Sequence, residues 1–386
     1  AFRLLQELRE LREDHNGAHC RAISCCGKAR HWQTALEVLT DFLATDTPDV
    51  YTFSAAITAC EKGLQWQKAL QLLTDMQSHG VLPNVFSCSA AISACEKCYE
   101  WQMALYLLSQ MPAAGVVPNE VSFNAGITAC AKVGEWQLAL LLLSRMPADQ
   151  LLPSVISFNA GISACEKGGE GLLAPWHAAL YLLAQMPAER VVPNEISFNA
   201  AISACEKAGE WQMALNLLCQ MPSERVVPNE ISFNACISAC EKGHGWGMAV
   251  CLLSQMPEAR IIPTVISFSA GISSCEKAVK WQVALCLLSH MPVVRLVPDE
   301  ISFNAGISAC EKASEWQMAL NLLCQMPSAR VVADEISFNS GISACDKGTE
   351  WEIALYLLSI MPAAHVLPSL ISFSLCMSAC EKVEMS

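Results

Sequence analysis

No stretch of the sequence approaches 18 consecutive apolar residues, which argues against a membrane-spanning helix and against a membrane partner. Basic residues are scarce, with 24 Lys and Arg against 37 Asp and Glu and a formal net charge of −13. Proteins that hold phosphates by bulk charge have the opposite balance, so such a function here would require cations gathered on one face. Chemistry-bearing constellations are missing as well. There is no Gly-rich phosphate loop and no H-x-E with a downstream P-C-x-x-C. The lone pair Cys95 and Cys98 has no second pair to complete a zinc site. His15, His19, Cys20, Cys25 and Cys26 read as apolar-face thiols and neighbouring imidazoles rather than ligands. Neither catalysis nor a cofactor nor a metal is expected from this region. The chain starts at Ala1 and stops at Ser386 in mid-pattern, as a fragment would, so a catalytic domain outside it stays open. The acids among Ala1–His15 speak against a cleaved targeting segment there.

What is present is a period. Every Trp, at 32, 66, 101, 136, 176, 211, 246, 281, 316 and 351, falls at a spacing of 35 residues with two exceptions. One residue is missing near Thr47, and Gly171 to Pro175 are inserted before Trp176. Ten copies begin at Asn16, Val50, Val85, Glu120, Val155, Glu195, Glu230, Val265, Glu300 and Glu335. The organisation is thus a helix of a truncated preceding repeat over 1–15, ten repeats over 16–369, and a first helix alone over 370–386.

Each copy predicts two helices. In the copy from Glu195, Phe198, Ile202 and Cys205 stand at i, i+4 and i+7, one stripe of a 3.6-residue helix. Ala208-Gly209 breaks it. Trp211, Ala214, Leu215, Leu218 and Met221 form the second stripe, which Pro222 stops. Position 11 carries one of eleven recurring cysteines, such as Cys60, Cys95, Cys205, Cys310 and Cys380, as small core hydrophobes in a reducing compartment. Gly126, Gly161, Gly271, Gly306 and Gly341 at position 7 predict close helix–helix approach. A single pair cannot bury its apolar stripe, whereas a stack can, each copy touching its neighbours and the first helices lining a concave surface. The expected fold is an all-α solenoid superhelix.

The copies resemble the pentatricopeptide repeat family over about residues 16–386. The 35-residue period carries the resemblance, with Ile196-Ser-Phe-Asn199 opening the copy, Ile at position 8, Lys at 13, Ala-Leu at 20 and 21, Met at 27 and Pro at 34. The chain departs from the family in Pro222 and its equivalents, and in Arg190, Arg225, Arg260, Arg295 and Arg330 where Gly is usual; Gly80 and Gly115 keep that Gly. These departures predict a shorter second helix.

The resemblance implies a right-handed superhelix that binds single-stranded RNA at one nucleotide per repeat, in organellar (mitochondrial or chloroplast) RNA processing, stability, editing or translation. It implies that positions 5 and 35 read each base: Ser54 with Asn84, Ser89 with Asn119, Asn124 with Ser154, Asn159 with Asn194, Asn199 with Asn229, Asn234 with Thr264, Ser269 with Asp299, Asn304 with Asp334, and Asn339 with Ser369. Short polar side chains can reach a Watson–Crick edge, yet they also suit helix N-termini. By the family's pairing rule the site is 5′-AACYYYGUC-3′. Position 2, namely Val121, Ile156, Ile196, Ile231, Ile266, Ile301 and Ile336, with Tyr51 and Phe86 before them, would wedge between bases or instead pack in the core. Position 13, namely Lys62, Lys97, Lys132, Lys167, Lys207, Lys242, Lys277, Lys312 and Lys347, would meet phosphates or form a solvated Glu-Lys face. A basic inner stripe within an acidic exterior would reconcile the net charge with RNA. The alternatives are a protein-binding scaffold, possible partners being other RNA-processing proteins, and the targeting arm of a larger processing enzyme.

Overall fold

The computed structural model describes residues 15–45, 49–168 and 175–384. Among these residues there are 21 α-helices and no strand, and the helices alternate as the period predicts. First helices run from position 1 to the position-13 lysine or just beyond, as in Val155–Lys167 and Glu300–Lys312. Second helices begin at the tryptophan, as in Trp281–His290 and Trp316–Gln325. Apart from His15, the segment 1–15 lies outside the described residues, as do 46–48 and most of the insertion. The insertion's last residue, Pro175, opens the helix Pro175–Ala188, where a missing N–H costs nothing.

Local chemistry sets both ends of the first helix. Position 35 is its N-cap: Asn84, Asn119, Asn194, Asn229, Asp299 and Asp334 each accept from the backbone N–H three residues on at 2.8–3.0 Å. A capping box closes at several copies through the position-3 serine. A Lys at the last turn favours the C-terminal end of the helix dipole.

The second helix ends in two ways. In six copies it stops one residue before Met-Pro, as at Gln220 and Gln325. In two copies it continues through proline, with Pro187 and Pro257 inside the last turn. Proline there removes one terminal bond only, so the shortening expected from Pro222 is not general. The following reversal is uniform. Position 31 is left-handed in every described copy from Gly80 (φ 72°) to His365 (φ 61°), including the five arginines at φ 59–64°. The backbone therefore keeps the glycine conformation without the glycine, at roughly 1–2 kcal/mol of strain per site.

The chain divides into two compact units at residue 204. Within each, a first helix packs on its own second helix and on the next first helix, and a second helix packs on the following first helix. In the second unit the copy from Glu300 buries Phe303, Ile307 and Cys310 against Ala319, Leu322, Leu323 and Met326. Each large apolar side chain so buried contributes about 2 kcal/mol. The first unit repeats this with Phe53, Ile57, Cys60, Ala69, Leu72, Leu73 and Met76. Gly271 shows why position 7 is small. A Cβ there would stand 2.5 Å from Leu253 Cδ1 of the preceding second helix and 3.6 Å from Leu287 Cδ1 of its own.

Candidate nucleic-acid interface

The first helices carry the three expected ladders, and the structure treats each differently. Position 2 is outside the core. Val121, Ile156, Ile196, Ile231, Ile266, Ile301 and Ile336 are 57–66% exposed, and Tyr51 and Phe86 more so. A β-branched residue repeatedly left in water, two residues before a buried phenylalanine and so on nearly the opposite side of the helix, has no packing role to explain it.

Position 5 sits half-buried at every asparagine and is buried at Ser89 and Ser269. It meets position 35 directly in four copies: Ser89 to Asn119 at 3.5 Å, Asn159 to Asn194 at 3.2 Å, Ser269 to Asp299 at 3.4 Å and Asn304 to Asp334 at 3.2 Å. In three more the pair is joined through a position-3 serine: Ser157 touches Asn124 and Ser154, Ser267 touches Asn234 and Thr264, and Ser372 touches Asn339 and Ser369. Ser54 bonds back to the Val50 carbonyl, while Asn84 caps its helix. Asn199 and Asn229 fall in different units. The capping role of position 35 and its adjacency to position 5 therefore hold together, since a cap uses the side-chain oxygen and leaves the amide N–H groups of an asparagine.

Sequence reasoning did not find the acid at position 1. Glu at position 1 lies beside the amide in three copies, where Asn124, Asn234 and Asn339 donate to Glu120, Glu230 and Glu335 at 3.3–3.4 Å. In the copy from Glu300, hydrogen bonding to Asp334 raises the pKa of Glu300. Burial works to raise Asp334 too, but bonds from Ser337, Glu300 and Asn304 prevail and lower it.

The lysine ladder is paired. Lys97, Lys132, Lys242, Lys277, Lys312 and Lys347 reach the position-12 carboxylates Glu61, Glu96, Glu206, Glu241, Glu276 and Glu311 of the preceding copy at 2.7–3.0 Å. Ser308 and Ser343 donate to Glu276 and Glu311 as well. The expected purely basic stripe is thus an alternating one, because stacking brings each lysine to an acid 36 residues earlier rather than leaving it to solvent. The ladder has gaps where the preceding copy lacks the acid: Gly27 precedes Lys62, and Ala131 precedes Lys167. Among the described residues those two lysines form no ion pair. Lys207 has a partner too. The signal was present in the recurring Glu-Lys dipeptide, but the dipeptide alone does not say which copy answers which.

Family models match the chain at four places. The PPR repeat family matches residues 48–97 and 193–242, the pentatricopeptide repeat domain matches 106–167, and the PPR repeat matches 301–331. Among solved structures, the pentatricopeptide repeat protein PPR10 from maize aligns with a TM-score of 0.55 at 20% identity, covering 100% of this chain and 59% of that one. This chain therefore spans about three fifths of that protein's length. PPR10 in complex with an 18-nt psaJ RNA element aligns with a TM-score of 0.49 at 18% identity, over 95% of this chain and 58% of that one. Yeast Rmd9p in complex with a 16-nt target RNA aligns with a TM-score of 0.42 at 11% identity, over 95% of this chain and 76% of that one. No curated protein sequence matches.

Proposed function

We propose that this chain, which belongs to the pentatricopeptide repeat family, binds single-stranded RNA with one nucleotide per copy and without chemistry of its own. The observation that carries this reading is the coincidence, once per copy, of an exposed aliphatic at position 2 with a half-buried hydrogen-bonding pair at positions 5 and 35. An exposed aliphatic can insert between successive bases, and the polar pair can meet a base edge. The base series follows the family's pairing rule, 5′-AACYYYGUC-3′, and the RNA would be organellar. Phosphate contacts fall first to Lys62 and Lys167. The paired lysines would have to share their ammonium groups with Glu or exchange partners.

One observation favours a protein-binding scaffold instead: the ion-paired ladder leaves little surplus positive charge in a chain of net charge −13. Titration of the chain with labelled nine-mer, its complement and a scramble, at two salt concentrations, separates the two. The RNA reading expects the nine-mer to bind at least tenfold more tightly than either control, each correctly read base being worth roughly 1 kcal/mol or more. Equal binding of all three would overturn it.

A further inference from the structure

Buried serines at position 3 reach back to asparagines of the preceding copy. Ser157, Ser197, Ser267, Ser337 and Ser372 are wholly buried. Their hydroxyls lie 2.5–2.6 Å from the side-chain oxygens of Asn124, Asn159, Asn234, Asn304 and Asn339. The direction of four of these bonds follows from the far side of the amide; in the fifth, Asn159 Nδ2 faces the Oδ1 of Asn194 at 3.2 Å, an oxygen that also accepts from the Ser197 backbone. In the four, the Nδ2 of Asn124, Asn234, Asn304 and Asn339 faces a carboxylate of Glu120, Glu230, Asp334 or Glu335 at 3.2–3.4 Å. An ionised carboxylate only accepts, so the NH2 end must point to it and Oδ1 to the serine. The serine then directs its single proton to that Oδ1, sharing it at Ser197 and Ser337 with the cap oxygens of Asn194 at 3.0 Å and Asp334 at 2.7 Å, neither of which can donate back. The serine oxygen is occupied in turn by the backbone N–H of its own N-cap residue at 3.1–3.2 Å, as at Ser154, Thr264, Asp334 and Ser369. A hydroxyl fixed on both sides cannot reverse the amide it holds.

We propose that the position-3 serine is a positioning residue for base selection in the preceding copy, locking the position-5 asparagine so that its exposed edge offers N–H donors. The ligand group it selects is an acceptor on the base edge, such as a pyrimidine carbonyl. This rests on the RNA reading above and adds a residue that touches no RNA. Copies with serine at position 5 behave otherwise. Ser89 and Ser269 meet Ser122 and Ser302 at 2.9 and 2.8 Å, hydroxyl to hydroxyl, where either can donate. In those copies Ser122 and Ser302 also meet the cap oxygens of Asn119 and Asp299 at 2.8 and 2.6 Å, and position 5 offers a hydroxyl in place of amide N–H groups, which suits it to a different class of base edge.

Ser337 provides the test, because its asparagine, Asn304, faces the eighth nucleotide of the nine-mer. Ser337→Ala and Ser337→Cys in the full chain are titrated against four nine-mers that differ only at that nucleotide, with Ser337→Thr as the variant that keeps the donor. Cysteine keeps the side-chain shape, fills the space and donates weakly, so it stands in should alanine fail to fold. The preference for uracil over adenine at the eighth nucleotide is expected to fall about fivefold in Ala and Cys, to survive in Thr, and to stay unchanged at the other eight positions. A uniform loss of affinity with the eighth-position ratio intact would assign the serine to capping alone and overturn the inference. A wild-type chain indifferent to all nine-mers and their scrambles would overturn the RNA reading itself.

Discussion

Lys167 and Lys312 occupy the same position in two copies, yet the preceding copy offers Ala131 to one and Glu276 to the other. Lys312 Nζ stands 2.8 Å from Glu276 Oε1, an oxygen that Ser308 also contacts at 2.8 Å. Its charge already has a counterion built into the chain. Binding a phosphate there releases little condensed salt, whereas a phosphate meeting Lys167 gains a full uncompensated charge. For single strands each phosphate contact steepens the fall of log K with log salt by about 0.7. Lys167→Ala is therefore expected to reduce the slope by about 0.7, and Lys312→Ala by less than half of that. Stability should move the other way. Lys312→Ala leaves Glu276 with only the Ser308 hydroxyl; the lysine is 40% exposed, so the loss is small, about 0.5 kcal/mol. Lys167→Ala has no pair to break. The assay is fluorescence anisotropy with the nine-mer between about 50 and 200 mM salt, alongside urea unfolding of both variants. Equal slope changes would show that the cross-copy pairs do not compete with RNA, and the argument from pairing would fail.

Three further outcomes follow from the same geometry. Replacing Glu120, Glu230 and Glu335 with valine, the residue other copies carry at position 1, removes three carboxylates beside reading amides and should tighten RNA binding by roughly twofold each; unchanged anisotropy titrations would place RNA elsewhere. Arg225→Gly relieves a left-handed φ of 60° and should raise stability by about 0.5–1 kcal/mol after glycine's greater unfolded freedom is subtracted; a lower urea midpoint would mean the arginine side chain stabilises more than its backbone costs. Burial pushes the thiol of Cys60 up to about 11 and that of Cys165 up to about 12, so at about pH 8 both stay protonated and should resist a disulfide reagent until the chain unfolds. Exposed Cys219, Cys286 and Cys324 should react first, and early labelling of Cys60 or Cys165, read by peptide mass, would contradict the burial.

The features of the proposed interface were legible to different depths. Positions 5 and 35 could be singled out because short polar residues recur there, but the sequence left capping and base reading as competing roles. Packing makes them compatible, since Asn194 caps Ser197 while accepting from Asn159. Position 2 was balanced between wedge and core, because an apolar residue near a helix start satisfies either pattern. Its exposure removes the core alternative for Val121 and the isoleucines.

The sequence by itself determined the period, the two-helix unit and the buried stripe. Those depend on contacts within a helix or between adjacent helices, which spacing encodes directly. Only the tertiary structure decided which charges cancel and which serine holds which asparagine. Lys312 and Glu276 are 36 residues apart, Ser337 and Asn304 are 33. Such partners are chosen by the lateral register in which one copy settles on the next, and no local pattern of residues specifies that register.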